Sequence, residues 1–265
     1  MKLSKDFKEI KGDASFRKFY RNTKKNSIIV FANREKIKNL LIYDSINKIL
    51  IKNNIIAPKL LSQNYKENYI EIQDLGKKTI YQIFSRNKKN QFLIFKKVIN
   101  ILNKIQLVKE KKIKNFRNKS YLIKDYKSKI LLDEAKLFTQ WYVPKKLNKK
   151  KINTFNSKFD KEIKLVLSKL NFKNDTFVHR DFHVSNLIIN SKNKIGLIDN
   201  QDALIGNKAY DLASLIDDVR YKTPNSLKDK VYNYYLSTNK KTDVNKFKND
   251  FDILSVLRNL KIIGI

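Results

Sequence analysis

One loop of the sequence combines residue types and a spacing that suit phosphoryl transfer. Residues 179–186 read H-R-D-F-H-V-S-N, which places Asp181 five residues before Asn186, and Asp199 closes the apolar run that follows. An aspartate at the start of such a loop accepts or orients the proton of a substrate hydroxyl, and an asparagine at its end reaches a magnesium ion. The pattern therefore predicts Asp181 as the catalytic base and Asn186 and Asp199 as ligands of Mg²⁺.

The chain between the two metal-ligand candidates predicts a hairpin. Residues 187–198 are largely apolar on both sides of a polar turn at 191–193. A hairpin would bring Asn186 and Asp199 together, and one asparagine with one aspartate is enough for Mg²⁺, which takes few ligands from the protein. The alternatives are that Asp181 caps a helix or turn and that Asp199 is only a turn residue at a strand end.

Two further aspartates lie close to this loop in the sequence. Asp211 stands in Y-D-L-A-S-L, where a carboxylate at a helix start is favourable. We expect Asp211 to tie the catalytic loop in place rather than to take part in the chemistry. Asp202 lies three residues after Asp199, either within reach of the metal or substrate or as a supporting carboxylate.

A turn near the amino terminus is the candidate phosphate loop. Residues 12–15 read G-D-A-S, and Gly12 can adopt a positive φ. Strand-like segments follow at 16–21 and 27–32, and backbone N–H groups in such a turn can lie over phosphates. We therefore expect Gly12, Asp13 and Ser15 to contact a nucleotide. An ordinary hairpin turn is the alternative.

The order of elements predicts a two-lobed α+β chain. Residues 1–11 are interpreted as a short helix or lead-in, and a strand over 69–76 ends in a turn. Apolar residues at helical spacing predict helices over 36–53, 92–106, 121–142 and 155–170. We expect a small β-rich, nucleotide-binding lobe over 1–75 and a mostly helical lobe with the catalytic loop and acceptor pocket over 76–265.

The composition narrows the class of protein. The 265 residues carry a formal net charge of +33, but the lysines are spread along the whole chain without an arginine-rich arm. This distribution favours a solvated basic surface over a nucleic-acid-binding one. The absence of cysteine excludes disulfides and thiol catalysis, and no apolar run is long enough to cross a bilayer. We expect a cytoplasmic protein with a small-molecule partner.

Several stretches together resemble one family. They are H-R-D-F-H-V-S-N, I-D-N-Q-D-A and Y-D-L-A-S-L in residues 179–216, G-D-A-S-F-R-K-F-Y-R at 12–21 and I-Q-D-L-G at 72–76. They resemble the aminoglycoside phosphotransferase family, which has a protein-kinase-like fold, and within it the bacterial anomeric kinases of N-acetylmuramate and N-acetylglucosamine. The likeness runs in sequential order over nearly the whole chain.

The resemblance implies an ATP- and Mg²⁺-dependent kinase acting on a free hydroxyl of a small molecule, most simply an amino sugar. It implies that the backbone of Gln73 and Leu75 contacts the adenine, and that His179 packs beneath the catalytic loop. His183 has no assigned role. Trp141, with Glu134 and Tyr142, is a candidate for the sugar pocket, the alternative being an amphipathic helix with core aromatics.

The sequence departs from the family pattern in three places. Asp199 is followed by Asn-Gln instead of Phe-Gly, which argues against a protein kinase. The strand at 27–32 has no lysine for the phosphates; Lys24 and Lys25 precede it, and Arg17 and Arg21 are the alternative cations. The chain stops where the resemblance implies further helix, which predicts a truncated chain or an end that packs inside. A nucleotide-binding relic without catalysis is therefore the main alternative function, ahead of a basic nucleic-acid-binding protein.

Overall fold

The chain forms two compact units, each assembled from three segments. A computed structural model describes residues 5–10, 16–33, 39–87 and 89–265. Unit 1 comprises residues 1–89, 108–123 and 184–203, and unit 2 comprises residues 90–107, 124–183 and 204–265. Unit 1 takes in segments far beyond residue 75, so the units and the expected lobes are different divisions of the chain. The lobe boundary at residue 75 stays a prediction.

The strands of the described residues are short. They are β1 (Phe7–Ile10), β2 (Arg17–Asn22), β3 (Ser27–Ala32), β4 (Leu60–Asn64), β5 (Tyr69–Gln73), β6 (Lys78–Thr79), β7 (Lys112–Lys114), β8 (Ser120–Leu122), β9 (Thr176–Val178), β10 (Leu187–Ile189), β11 (Ile195–Leu197) and β12 (Leu204–Gly206).

The helices of the described residues are α1 (Asn39–Lys52), α2 (Ile80–Arg86), α3 (Gln91–Gln106), α4 (Ser128–Leu137), α5 (Lys149–Ser168), α6 (Tyr210–Ile216), α7 (Asn225–Thr238) and α8 (Val244–Ile263). Among the residues that the structure describes, none of these helices has the length and hydropathy needed to cross a membrane.

Unit 1 is built on a five-stranded antiparallel sheet in the order β1-β2-β3-β5-β4. The central strand β3 reads S-I-I-V-F-A, and its branched residues suit a buried position in a sheet. Val30 and Ala32 from β3 are buried with Leu40 and Tyr43 from α1 and with Ile70 from β5. The core of this unit therefore lies between one face of the sheet and α1.

The predicted hairpin between the two metal-ligand candidates is present in unit 1. Strands β10 and β11 pair antiparallel, with Leu187 opposite Leu197 and Ile189 opposite Ile195. Strand β6 pairs with the other edge of β10. The apolar residues of the hairpin are largely buried, and its polar turn is exposed.

Unit 2 is mostly helical. Helix α8 packs against α4 and α6, α3 packs against α7, and β9 pairs with β12. Asp250 on α8 is buried and accepts hydrogen bonds from the backbone N–H groups of Asn171 and Phe172 and from the amide of Asn207. This carboxylate fixes the chain that leads into β9.

Two of the predicted helical segments are wrong in part. Residues 7–10 form a strand, because their backbone pairs with β2 from Asn22 to Phe19. Residues 121–127 are also not helical, since β8 pairs with β7 and the Tyr126 N–H donates to the carbonyl of Ile205. Pairing with a neighbouring strand overrides the helical spacing in both places, and helix α4 begins only at Ser128.

Replacing Leu40 with alanine should destabilise the protein by about 2–5 kcal/mol, because the substitution leaves a cavity between α1 and the sheet. Leu40 is fully buried, whereas Leu61 on β4 is largely exposed and offers the matched control. Urea unfolding of both variants measures the difference. Equal losses in Leu40→Ala and Leu61→Ala would contradict the described core.

Candidate active site

The hairpin of unit 1 fixes the position of Asp199. The Ile198 N–H donates to the Asn186 carbonyl at 3.1 Å, so the residue before Asp199 is held against Asn186. Asp199 has φ 63° and ψ 40°, a left-handed conformation that residues with side chains seldom adopt. On the following turn, the Asn200 amide donates to the Asn47 side chain of α1 at 2.8 Å. The backbone around Asp199 is thus tied to both the hairpin and the helix.

The Asp199 carboxylate uses only one of its oxygens within the described part of the chain. Its Oδ1 accepts from Arg17 Nη2 at 3.2 Å and from Gln201 Nε2 at 3.1 Å, while Oδ2 accepts from no described residue. The side chain is 38% exposed. A partly exposed carboxylate and an amide oxygen are ligand types that Mg²⁺ prefers, so the residue types fit the predicted metal. No cluster of three or more His, Cys, Asp or Glu side chains with metal-binding geometry occurs in the described ranges.

Most backbone N–H groups between Gln73, at the end of β5, and Gly76 already donate to other groups of the protein. The N–H groups of Gln73, Asp74 and Gly76 donate to the Lys59 carbonyl, the Asn26 carbonyl and the Asp74 side chain. Gly76 has φ 122°, which confirms a turn that needs glycine. The Leu75 N–H has no hydrogen-bond partner among the described residues. Of the two predicted adenine contacts, Leu75 is therefore the one with a backbone donor to offer.

A cavity of about 460 Å³ opens in unit 1 beside this segment. Its cationic lining residues are Lys8, Arg21, Lys24, Lys25 and Lys77, and Asp74 is one of its acidic ones. Arg21 is already bound, because its guanidinium donates to the Asp74 carboxylate and to the Gly76 carbonyl at 3.1 Å. The remaining lysines give the cavity a positive field that suits an anionic ligand.

In unit 2, a buried carboxylate holds the backbone of the loop that carries Asp181. Asp211, in the first turn of α6, accepts from the His179 N–H at 2.7 Å and from the Arg180 N–H at 3.0 Å. These bonds support Arg180 in a left-handed conformation with φ 73°. Burial raises the pKa of Asp211 to about 6, although His179 and the two N–H groups oppose the rise. The predicted supporting role of Asp211 matches these contacts.

Asp181 lies among positive charges. Burial alone would raise its pKa, but the field of Lys261 leads the opposing effects and lowers the pKa below the ordinary value for aspartate. Burial and the nearby Arg220 lower the pKa of His183 to about 3, so this imidazole is neutral near pH 7. His179 is fully buried beneath the loop, as the resemblance implied. Asp181 is therefore an ionised carboxylate at neutral pH.

Glu134 on α4 anchors this loop from the other side. Its carboxylate accepts from Arg180, from Lys261 at 3.0 Å and from the Tyr126 hydroxyl. Because both oxygens are committed to these groups, Glu134 has a positioning role within unit 2 and not the free carboxylate of a sugar pocket. The sequence placed Glu134 on a helix, but nothing local indicated that it would pair with Arg180.

The two aromatic candidates for the acceptor pocket differ in their surroundings. Trp141 is 61% exposed, so its interpretation as a core residue is wrong. Tyr142 stacks on Phe138 with ring centroids 5.2 Å apart. The remaining predicted contacts, Gly12, Asp13 and Ser15, lie outside the described residues.

Comparison with known proteins places these features in a family. Residues 6–243 match the model of the phosphotransferase enzyme family. An N-acetylmuramate/N-acetylglucosamine kinase of Pseudomonas putida is 24% identical over 96% of this chain and 73% of its own length.

Two solved structures share the fold. The GDP and kanamycin complex of APH(2")-IIia has a TM-score of 0.68 at 9% identity, over 97% of this chain and 85% of its own. Choline kinase LicA from Streptococcus pneumoniae has a TM-score of 0.66 at 14% identity, over 99% and 86%. These likenesses confirm the predicted α+β, protein-kinase-like fold class.

Removing the Glu134 carboxylate should destabilise the protein by about 3–5 kcal/mol, because Arg180 and Lys261 would remain largely buried without their shared anion. Asp252 pairs with Lys248 on the exposed face of α8, and its removal should cost less than about 1 kcal/mol. Thermal and urea unfolding of Glu134→Ala and Asp252→Ala make the comparison. A Glu134→Ala protein as stable as Asp252→Ala would show that the anchor is not needed.

Proposed function

Because the chain belongs to the phosphotransferase enzyme family, we propose that it is an ATP-dependent kinase that transfers the γ-phosphoryl group to a hydroxyl of an amino sugar. The family membership confirms the sequence resemblance and the predicted enzyme class, a small-molecule kinase. The observation that carries the proposal is Asp181, an ionised carboxylate on a loop whose backbone is held by Asp211.

Asp181 is the residue that receives the acceptor hydroxyl. A carboxylate with a lowered pKa is a weak base, so its main contribution is to orient the hydroxyl by accepting its hydrogen bond. Such orientation suffices because phosphoryl transfer passes through a loose transition state in which the acceptor loses its proton late. The bonds from Asp211 to the loop keep this carboxylate in place without an adjustment at the moment of reaction.

The nucleotide is assigned to unit 1. Asn186 and Asp199 would hold Mg²⁺, which when bound offsets the negative charge of the phosphates. The Leu75 N–H would donate to the adenine, with the backbone of Gln73 beside it. Gly12, Asp13 and Ser15 remain the proposed phosphate loop, and the positive cavity next to Asp74 would attract the anionic nucleotide.

The acceptor class is supported by the name of the Pseudomonas relative, which covers nearly the whole of this chain. We assign the chain a small-molecule partner with a free hydroxyl and a cytoplasmic site of action, where ATP is supplied. The exposed Trp141 is the proposed stacking surface for a sugar ring, since aromatic faces pack well against sugars.

An acceptor screen tests this function. Incubation with labelled ATP and N-acetylmuramate, N-acetylglucosamine, choline or kanamycin should transfer label to an amino sugar. Asp181→Asn should lower kcat by about 10²–10⁴-fold with little change in the KM for ATP, because it removes the oriented base. Transfer to choline alone would reject the amino-sugar assignment. Unchanged turnover in Asp181→Asn would reject the site, and ATP binding without any transfer would support the relic alternative.

Activity should also fall as the pH drops through about 6. Below that pH Asp211 gains a proton, one of its oxygens becomes a donor, and a loop N–H loses its acceptor. A pH profile of kcat for the wild type should show this acidic limb, and Asp211→Asn should have a lower kcat at neutral pH without the same limb. A limb near pH 6 that is unchanged in Asp211→Asn would assign the titration to another group.

A further inference from the structure

The strand that carries a phosphate-binding lysine in protein kinases has no cation here. Strand β3 reads S-I-I-V-F-A, and its residues Val30 and Ala32 are fully buried against α1. In the antiparallel pairing of β2 with β3, Arg17 lies directly opposite Ala32, and Phe19 lies opposite Val30. Directly opposed residues share a face of a sheet, so Arg17 stands on the face that β3 presents to α1.

Two arginines share that face of β2, and the structure separates their roles. Arg21 is committed to the Asp74 carboxylate and the Gly76 carbonyl, beside the segment assigned to the base. Arg17 donates to Asp199 Oδ1, beside the proposed metal ligands. Four residues along a strand span about 13 Å, so Arg17 and Arg21 are separated along β2 by roughly the length of a nucleotide.

The Arg17 guanidinium is held in a defined place. Its side chain is only 7% exposed, and it lies 5.8 Å from the centre of the Phe19 ring. Tyr43 on α1 lies within the field of this pair. Burial and then the Asp199 charge raise the pKa of Tyr43, and the Arg17 charge opposes the rise. The Arg17 guanidinium contacts Asp199 at 3.2 Å, and a guanidinium can contact more than one anion because it carries five donors in a planar fork.

We propose that Arg17 contacts a phosphate oxygen of the bound nucleotide, and so supplies from β2 the positive charge that protein kinases supply from β3. This inference rests on the proposed function, because it takes ATP as the ligand of unit 1. In this arrangement Arg17 bridges the phosphates and Asp199, and it also sets the orientation of the Asp199 carboxylate. Arg21 belongs to the base end and does not share this role.

Nucleotide binding tests the assignment without relying on turnover. The dissociation constants of ATP and of adenosine, each with Mg²⁺, are measured by calorimetry for the wild type, Arg17→Met, Arg17→Lys and Lys18→Met. Lys18 is the next residue on β2, exposed on the other face, so Lys18→Met loses the same charge and serves as the matched control. Arg17→Met should weaken ATP binding by about 10–100-fold while adenosine binding changes less than about threefold, because only the phosphate contact is lost. Arg17→Lys should restore part of the ATP affinity, and Lys18→Met should bind ATP as the wild type does.

The outcomes separate this inference from the function on which it rests. Equal weakening of ATP and adenosine in Arg17→Met, with unfolding unchanged, would overturn the phosphate contact, and so would ATP affinity equal to that of Lys18→Met. If Arg17→Met fails to fold, Arg17→Lys decides: weaker binding of ATP with unchanged binding of adenosine supports the phosphate contact, and wild-type affinity for ATP overturns it. A wild-type protein that binds neither ATP nor another nucleoside triphosphate would remove the proposed function itself.

Discussion

The ion pair between Arg17 and Asp199 connects two parts of unit 1 that are 182 residues apart in the sequence. It joins the first residue of β2 to the residue that follows the β10–β11 hairpin. A buried guanidinium is costly unless it meets an anion, so the pair constrains both the start of β2 and the left-handed turn at Asp199. Arg17 and Gln201 both contact Oδ1 of Asp199, and the Asp199 side chain as a whole remains partly exposed.

Unit 2 relies on buried or largely buried carboxylates in a comparable way. Asp211, Glu134 and Asp250 each lose solvation on folding, and each regains it through two or more donors from distant segments. Losing any one donor set would leave a buried charge without compensation. These carboxylates therefore specify the path of the chain into β9 and through Arg180, where the backbone adopts a conformation that local preferences disfavour.

The sequence predicted the elements whose signals are local. The spacing of Asp181, Asn186 and Asp199, the hairpin between the last two and the strand at 27–32 all depend on short-range patterns, and the hairpin and strand are present as expected. The sequence could not choose between Arg17 and Arg21, because that choice depends on strand register and on which carboxylate each guanidinium meets.

The failures have the same physical origin. Residues 7–10 and 121–127 carry apolar spacing compatible with a helix, but their backbone pairs outside any helix. Strand β1 pairs with β2, β8 pairs with β7, and Tyr126 donates to the distant Ile205 carbonyl. The commitment of Glu134 to Arg180 and Lys261 likewise depends on three separate elements meeting. Such a pairing is visible only in the folded structure, because no residue type or spacing in the sequence indicates which side chains will meet.

The proposed site requires the Asp199 carboxylate to bind a divalent metal together with the nucleotide. Electron paramagnetic resonance of Mn²⁺, titrated into the protein with and without ATP, measures this binding directly. We expect ATP-dependent Mn²⁺ binding in the wild type and in Asp202→Asn, and its loss in Asp199→Asn. Binding that persists in Asp199→Asn but disappears in Asp202→Asn would contradict the account and move the metal to the neighbouring carboxylate.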